Sequence, residues 1–132
     1  MRTIGLDNGI MLNKPTSVIP FYVKVGVWVT STDSVEICYW RKCWGIRNEI
    51  LCLFPEAEPN DSCLDLTPEH IRAIRKIIRS FMSKKKWEEE ANSIWTYSEI
   101  RPRLIKHWFA LWWLEHYLKN NPDAEAYFYD SW

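Results

Sequence analysis

The stretch from Glu99 to Lys119, EIRPRLIKHWFALWWLEHYLK, sets the architecture of this chain, because its apolar residues recur with the spacing of an α-helix. The main apolar stripe comprises Leu104, Trp108, Leu111, Trp112 and Leu118. Further apolar residues extend nearly all round the helix, namely Ala110, Trp113 and Leu114. A helix of this kind is central to a domain and covered on several sides. Glu115 is an exception to the pattern, since it is an acid inside the main stripe.

A second helix is predicted upstream, and its two faces differ in character. Thr67 provides an N-cap and Pro68 the first helical residue. One face is apolar and carries Ile71, Ile74, Ile77, Ile78, Phe81 and Met82. The other face is basic and carries Arg72, Arg75, Lys76 and Arg79. An acidic loop over residues 56–69 precedes this helix, and residues 87–90 could continue it.

The predicted strands come from the two ends of the chain. Residues 4–12 are typical of a hairpin with Asn8-Gly9 at its turn, because this dipeptide adopts positive φ readily. Residues 21–30 alternate between apolar and mixed positions, which predicts a strand. Residues 33–54 are predicted as one helix that begins at a capping box. Residues 127–129 predict a short terminal strand that could pair with residues 21–30.

The sequence therefore predicts one α+β domain over residues 1–132, with three main helices and a small antiparallel sheet. Its 17 Lys+Arg balance 17 Asp+Glu, which argues against a nucleic-acid coat or a polybasic membrane binder. The uncharged apolar run at residues 108–114 is too short to span a bilayer. Because the first residues lack the apolar core of a signal peptide, we expect a cytoplasmic protein.

Motifs for metal, redox or enzymatic chemistry are not found in the sequence. The cysteines form no C-x-x-C pair and the histidines no H-E-x-x-H motif, so we expect free thiols, no metal and no cofactor. Four glycines cannot build a phosphate-binding loop here, and G-x-S-x-G does not occur. These features favour a protein that is not an enzyme, and an enzyme without a recognisable motif is a third possibility.

Aromatic and arginine residues on the predicted helix at residues 33–54 suggest a ligand site. Trp40, Trp44 and Arg47 have the spacing i, i+4 and i+7, so they would share one ridge. Aromatic faces beside a guanidinium suit a nucleotide, and Tyr39 and Glu115 would complete this site. The alternative is that both tryptophans belong to the core and that Arg47 pairs with Glu115.

The basic face of the second helix also allows two interpretations. Such a run of charge is usually a solvated surface, and the acidic loop before it could neutralise it. The functional alternative is docking onto an acidic protein groove or, less favoured, a nucleic-acid backbone, because the local charge governs steering. The docking residues would then be Arg41, Lys42, Arg72, Arg75, Lys76 and Arg79.

The sequence VEICYWRKCWGIR, residues 35–47, resembles a family of small bacteriophage and prophage proteins. Members carry a Tyr-Trp-Arg-Lys motif followed four residues later by Ile-His. Here residues 39–42 and Ile46 match this pattern, and Arg47 stands where the family has histidine. The ending at residues 129–132, YDSW, is similar to the Ser-Trp ending of many such proteins. The resemblance implies a phage accessory protein that acts in a bacterial host, without implying an activity.

Two functional hypotheses follow from these observations. The leading one is a non-enzymatic, host-directed inhibitor that occludes a host protein, in particular one of an antiviral defence system. The alternative is a protein that sequesters a nucleotide with Trp40, Trp44 and Arg47. A homodimer is compatible with both, because two aromatic-rich faces exceed what one short sheet can cover.

Overall fold

The computed structural model describes residues 7–13, 34–57 and 63–131. These residues form four helices and a four-stranded antiparallel sheet, which confirms the predicted α+β class. In chain order the elements are β1 (Asp7–Asn13), β2 (Ser34–Arg41), α1 (Trp44–Leu51), β3 (Cys63–Leu66), α2 (Pro68–Ser80), α3 (Lys84–Glu90), α4 (Tyr97–Asn120) and β4 (Glu125–Ser131). The strand order is β2-β1-β4-β3. The strand predicted at residues 21–30 lies outside the described residues.

β1 lies inside the sheet, because it pairs antiparallel with both β2 and β4. The registers place Gly9 between Tyr39 and Tyr129. A Cβ at Gly9 would lie 2.5 Å from Cε1 of Tyr129 and 2.6 Å from the carbonyl oxygen of Cys38, so any larger residue would force these neighbours to shift. The predicted hairpin turn at Asn8-Gly9 was therefore wrong, since both residues lie inside β1 and Gly9 serves close packing.

Residues 34–51 form a strand and then a helix, and not the single helix predicted over residues 33–54. The run VEICYW within β2 is rich in β-branched and aromatic side chains, which suit a pleated strand paired with β1. Lys42 has φ 52, in the left-handed region, and this residue turns the chain from β2 towards α1. Gly45 then packs against the end of α3, where a Cβ would overlap the Glu90 carbonyl oxygen.

The two longest helices confirm the sequence prediction closely. α2 begins as expected, because the Thr67 side chain accepts a hydrogen bond from the backbone N–H of His70. α4 begins slightly earlier than predicted, with a capping box between Thr96 and Glu99. α3 is a separate helix with Ser83 as its N-cap, and is not a continuation of α2.

The terminal strand predicted at residues 127–129 is confirmed as β4, whose partners are β1 and β3. The core lies between one face of the sheet and the helices. Its sheet side includes Ile10, Leu12, Trp40, Ala126 and Phe128. Its helical side includes Ile46, Ile50, Ile71, Ile74, Ile78, Leu104, Leu111 and Leu114.

α4 is only partly covered, in contrast to the prediction of a helix buried on several sides. Its inward residues are buried, but the side chains of Phe109 and Trp112 are 48% and 44% exposed. None of the helices in the described ranges is long and apolar enough to cross a membrane. One apolar side of α4 is therefore exposed to solvent.

Candidate functional site

The predicted ridge of Trp40, Trp44 and Arg47 is not formed, because Trp40 lies in β2 and the other two lie in α1. Trp40 is fully buried, and its ring meets that of His107 edge to face with 5.1 Å between centroids. Tyr39 precedes Trp40 in the strand and so points to the opposite face of the sheet. Trp40 is thus a core residue, and a base could stack on it only after the core opened.

Arg47 forms an ion pair with Asp130 of β4, and not with Glu115, which was the alternative to a ligand site. Its Nε lies 3.0 Å from each carboxylate oxygen of Asp130, and its Nη2 donates to Oδ2 at 2.8 Å. Both side chains are largely buried, with exposed fractions of 14% and 7%. The amide of Asn8 also donates to Asp130, and the ring centroid of Trp44 lies 5.6 Å from the guanidinium. These contacts attach α1 to the middle of the sheet, which is a structural role.

Glu115 instead receives cations from α2 and from its own helix, although its side chain is only 2% exposed. Its carboxylate oxygens lie 2.8 Å from Nη2 of Arg72, 3.1 Å from Nη1 of Arg75 and 3.1 Å from Nζ of Lys119. Burial raises the pKa of Glu115, but hydrogen bonds from Lys119 and Arg72 and the charge of Arg75 outweigh burial and lower the pKa below its ordinary value. The acid inside the apolar stripe is therefore an internal counterion for the basic face.

An exposed aromatic stripe on α4 adjoins these cations. Trp108 is partly buried, with its ring centroid 5.5 Å from the Arg75 guanidinium and 5.2 Å from the ring of Phe109. Trp112 follows one helical turn later on the same side. The stripe and the basic face are thus contiguous. We call them together the α2–α4 surface, which comprises Arg72, Arg75, Lys76, Arg79, Ile105, Trp108, Phe109 and Trp112.

A pocket of about 450 Å³ lies within the α2–α4 surface, at the C-terminal end of α2. Its lining is mostly apolar and consists of Arg79, Met82, Ser83, Ile105 and Trp108. The side chains of Lys76 and Arg79 have no ion pair or hydrogen bond with another residue in the described ranges. An apolar pocket beside available cations suits an apolar side chain flanked by acids.

Arg41 and Lys42 were predicted to share the docking surface with α2, but they lie elsewhere in the fold. Arg41 is the last residue of β2, in register with Asp7, and Lys42 is in the turn that follows. β2 and β3 are the opposite edges of the described sheet, and α2 directly follows β3 in the chain. The α2–α4 surface is therefore defined without them.

A smaller cleft of about 220 Å³ lies between β2 and α4. We call it the β2–α4 cleft, and its lining is Glu36, Ile37, Cys38, Tyr39, Glu99, Pro102, Arg103, Lys106 and His107. His107 is only 7% exposed, and its Nδ1 has no hydrogen-bond partner among the described residues. Burial, together with the charges of Arg103 and Lys106, lowers the pKa of His107 to about 3. The imidazole is therefore neutral at physiological pH.

The side chain of Glu36, which lines the same cleft, is hydrogen-bonded to a residue of β4. The Tyr129 hydroxyl donates to its Oε2 at 2.6 Å, and Gly9 of the intervening strand leaves room for this contact. Burial raises the pKa of Glu36, and the hydrogen bond from Tyr129 only partly opposes this effect. A second pair, between the Tyr39 hydroxyl and Asp7 at 2.7 Å, lies alongside it. Both pairs hold β1, β2 and β4 together, so these carboxylates have structural partners.

All four cysteines are free thiols. Cys38 and Cys43 are buried, and burial raises the pKa of both, that of Cys43 to about 11. Cys52 and Cys63 are exposed. Within the described ranges, His, Cys, Asp and Glu form no group of three that could hold a metal ion.

Sequence reasoning did not name Asp130, His107 or Phe109 as site residues, and it also missed other residues of α4 that line the surface and the cleft. These are Arg103, Ile105, Lys106, Trp108 and Trp112. Asp130 follows Ala126 and Phe128 at every second position of β4, so an acid on the buried side of a strand was a usable signal. The positions of His107 and Phe109 could not be predicted in this way, because the sequence of a helix that is apolar nearly all round does not indicate which side is exposed to solvent.

Comparisons with known proteins identify no relative of this chain. No protein-family model matches it, and neither a curated protein nor a solved structure matches it.

Proposed function

We propose that the protein is a non-enzymatic inhibitor that binds an acidic surface of a host protein and occludes it. The observation that carries this proposal is the exposed aromatic stripe of α4 beside the basic face of α2. Protein interfaces combine aromatic anchors at their centre with a polar rim, and the anchors supply most of the binding energy. The α2–α4 surface has both components.

The charge of this surface favours an acidic partner. Three cations share the single carboxylate of Glu115, namely Arg72, Arg75 and Lys119. Lys76 and Arg79 add charge that no ion pair in the described part of the chain neutralises. The surface thus keeps a positive charge after its internal pairing, and such charge selects partners and accelerates association.

The apolar part of the surface supplies affinity. Phe109 and Trp112 leave about half of their side chains in water, which binding would remove. The neighbouring pocket beside Trp108 can receive one apolar side chain of the partner. A partner that combines such an anchor with flanking carboxylates would match the surface in both shape and charge.

The resemblance of residues 35–47 to bacteriophage proteins supports a bacterial host as the source of the partner. Small phage proteins without catalytic motifs commonly act by occluding a host protein, so an antiviral defence component is the class of target that we favour. The protein would then act in the host cytoplasm.

The nucleotide-sequestering alternative has less support, because its residues do not converge. Trp40 is buried, Arg47 is held by Asp130 and Glu115 is held by Arg72. A homodimer through the α2–α4 surface would place two basic faces near each other, which like-charge repulsion disfavours.

The test compares partner binding by the wild type with binding by two surface variants. Lys76→Gln/Arg79→Gln removes the cations that have no ion pair in the described ranges, and Trp112→Ser removes an exposed anchor. The control, Lys84→Gln/Lys85→Gln, removes the same charge from exposed positions of α3. Arg72 and Arg75 are left unchanged because they neutralise the buried Glu115.

Host lysate is passed over each immobilised variant, and the retained proteins are quantified by mass spectrometry. We expect one host protein that the wild type and the control retain and that both surface variants lose by about tenfold or more, equivalent to ~1.4 kcal/mol. Its own activity should fall when the wild-type protein is added. Equal retention by all four proteins would contradict the proposal, and so would a lysate from which nothing is retained.

A further inference from the structure

Within the described part of the chain β2 is an edge strand of the sheet, because it pairs with β1 alone. An edge strand presents backbone N–H and C=O groups with which another strand can pair. The β2–α4 cleft follows this edge over four consecutive residues, from Glu36 to Tyr39. A chain segment paired with β2 would therefore lie beside the cleft.

The two carboxylates that line the cleft already have hydrogen-bond donors. Glu36 accepts from the Tyr129 hydroxyl at 2.6 Å. Glu99 accepts from the backbone N–H and from the hydroxyl of Thr96, each at 2.9 Å. Neither is thus a ready binding group for a ligand.

The two cations that line the cleft differ from its carboxylates in their exposure and in their pairing. Arg103 and Lys106 are both exposed, and neither has a carboxylate partner in the described part of the chain. The Arg103 guanidinium lies 4.7 Å from the ring centroid of Trp95, and a stacked guanidinium keeps its N–H donors for an anion. The groups of this cleft that can bind a ligand are therefore positive.

We infer that the β2–α4 cleft is a second binding site, which takes an extended acidic peptide as an added strand on β2. The peptide backbone pairs with the edge of β2, and one Asp or Glu side chain enters the cleft to meet Arg103 and Lys106. A cleft of about 220 Å³ admits one such side chain. A second copy of this chain is a poorer occupant, because the acid of its own β2, Glu36, is held by Tyr129.

The test begins with a displayed library of random peptides of about nine residues, selected on the wild-type protein. Enriched peptides are then synthesised with a fluorescent label, and their affinity is measured by anisotropy. The test variant is Arg103→Gln/Lys106→Gln. The matched control is Arg101→Gln, an exposed arginine of the same helix that does not line the cleft. Circular dichroism of each variant verifies that it is folded.

We expect the enriched peptides to share one acidic position and to lose about tenfold or more in affinity for the test variant. They should bind the control as tightly as the wild type, and N-methylation of their backbone should abolish binding because it removes strand pairing. Enrichment of peptides without an acid overturns the inference, as does unchanged affinity for the test variant or the absence of any enriched peptide. Lys76→Gln/Arg79→Gln should leave peptide binding unchanged, which separates this site from the α2–α4 surface.

Discussion

Acid should weaken the fold through His107, because this imidazole is buried where a proton is unfavourable. Its pKa is lowered from 6.5 to about 3 in the folded protein. Between these two values the unfolded chain binds a proton that the folded chain does not bind, so the free energy of unfolding decreases as the pH falls. The contribution of His107 to stability is complete above about pH 6.5 and is lost progressively down to about pH 3.

The magnitude follows from the size of the pKa shift. One bound proton of difference changes the free energy of unfolding by about 1.4 kcal/mol per pH unit below the unfolded pKa. Between about pH 7 and about pH 5 the expected loss is therefore ~2 kcal/mol. The pKa of His107 is lowered because its ring is buried, with 5.1 Å between its centroid and that of the Trp40 ring. The nearby charges of Arg103 and Lys106 lower it further.

Urea unfolding followed by tryptophan fluorescence at both pH values measures this loss. The matched control is His107→Gln, which keeps a polar side chain but does not titrate. The wild type should lose ~2 kcal/mol more than the variant. Glu36, whose raised pKa acts in the opposite sense, is present in both proteins. Equal pH dependence of the two proteins would refute the reasoning, and so would an NMR titration in which His107 of the folded protein protonates near its ordinary pKa.

Three further predictions concern packing, an ion pair and the thiols. Asp130→Asn should destabilise the protein by ~3–5 kcal/mol in urea unfolding, because it removes the carboxylate that pairs with the largely buried Arg47; a loss below ~1 kcal/mol would contradict the contribution of this pair to stability. Gly9→Ala should cost ~1–3 kcal/mol by overpacking against Tyr129, and an unchanged thermal midpoint would contradict this packing. Alkylation of the folded protein should rapidly modify only the exposed thiols, and modification of all four at equal rates would contradict the burial of the others. The thiols expected to react are Cys52 and Cys63.

The two long helices could be predicted because their local signals agree with their tertiary environment. In α2, the cap at Thr67 and the isoleucines at helical spacing indicate the same element and the same buried face. In β2, the two kinds of signal disagree. The spacing of Trp40, Trp44 and Arg47 is helical, but β-branched and aromatic residues precede them and β1 supplies strand pairing. Pairing with a distant strand decides this segment, and such a partner is not visible in the local sequence.

The candidate sites likewise contain some residues that could be predicted from the sequence and others that could not. The basic face of α2 could be predicted directly from the sequence, because charged residues at helical spacing define a face whatever helix packs against the other side. The counterion of Arg47 could not, because Asp130 reaches it only through the order of the sheet strands. The exposure of Phe109 could not be predicted either, because it depends on which part of α4 is covered by α2 and the sheet.

The position of β1 between β2 and β4 has a consequence for biosynthesis. β1 leaves the ribosome before all the other described elements, and β4 leaves it after them. These two strands are neighbours over the full register from Asp7–Ser131 to Asn13–Glu125. The middle of the sheet therefore cannot assemble while translation is still in progress upstream of β4. Contacts between segments so distant in sequence slow folding, so the nascent chain must keep the apolar face of β1 protected until β4 emerges.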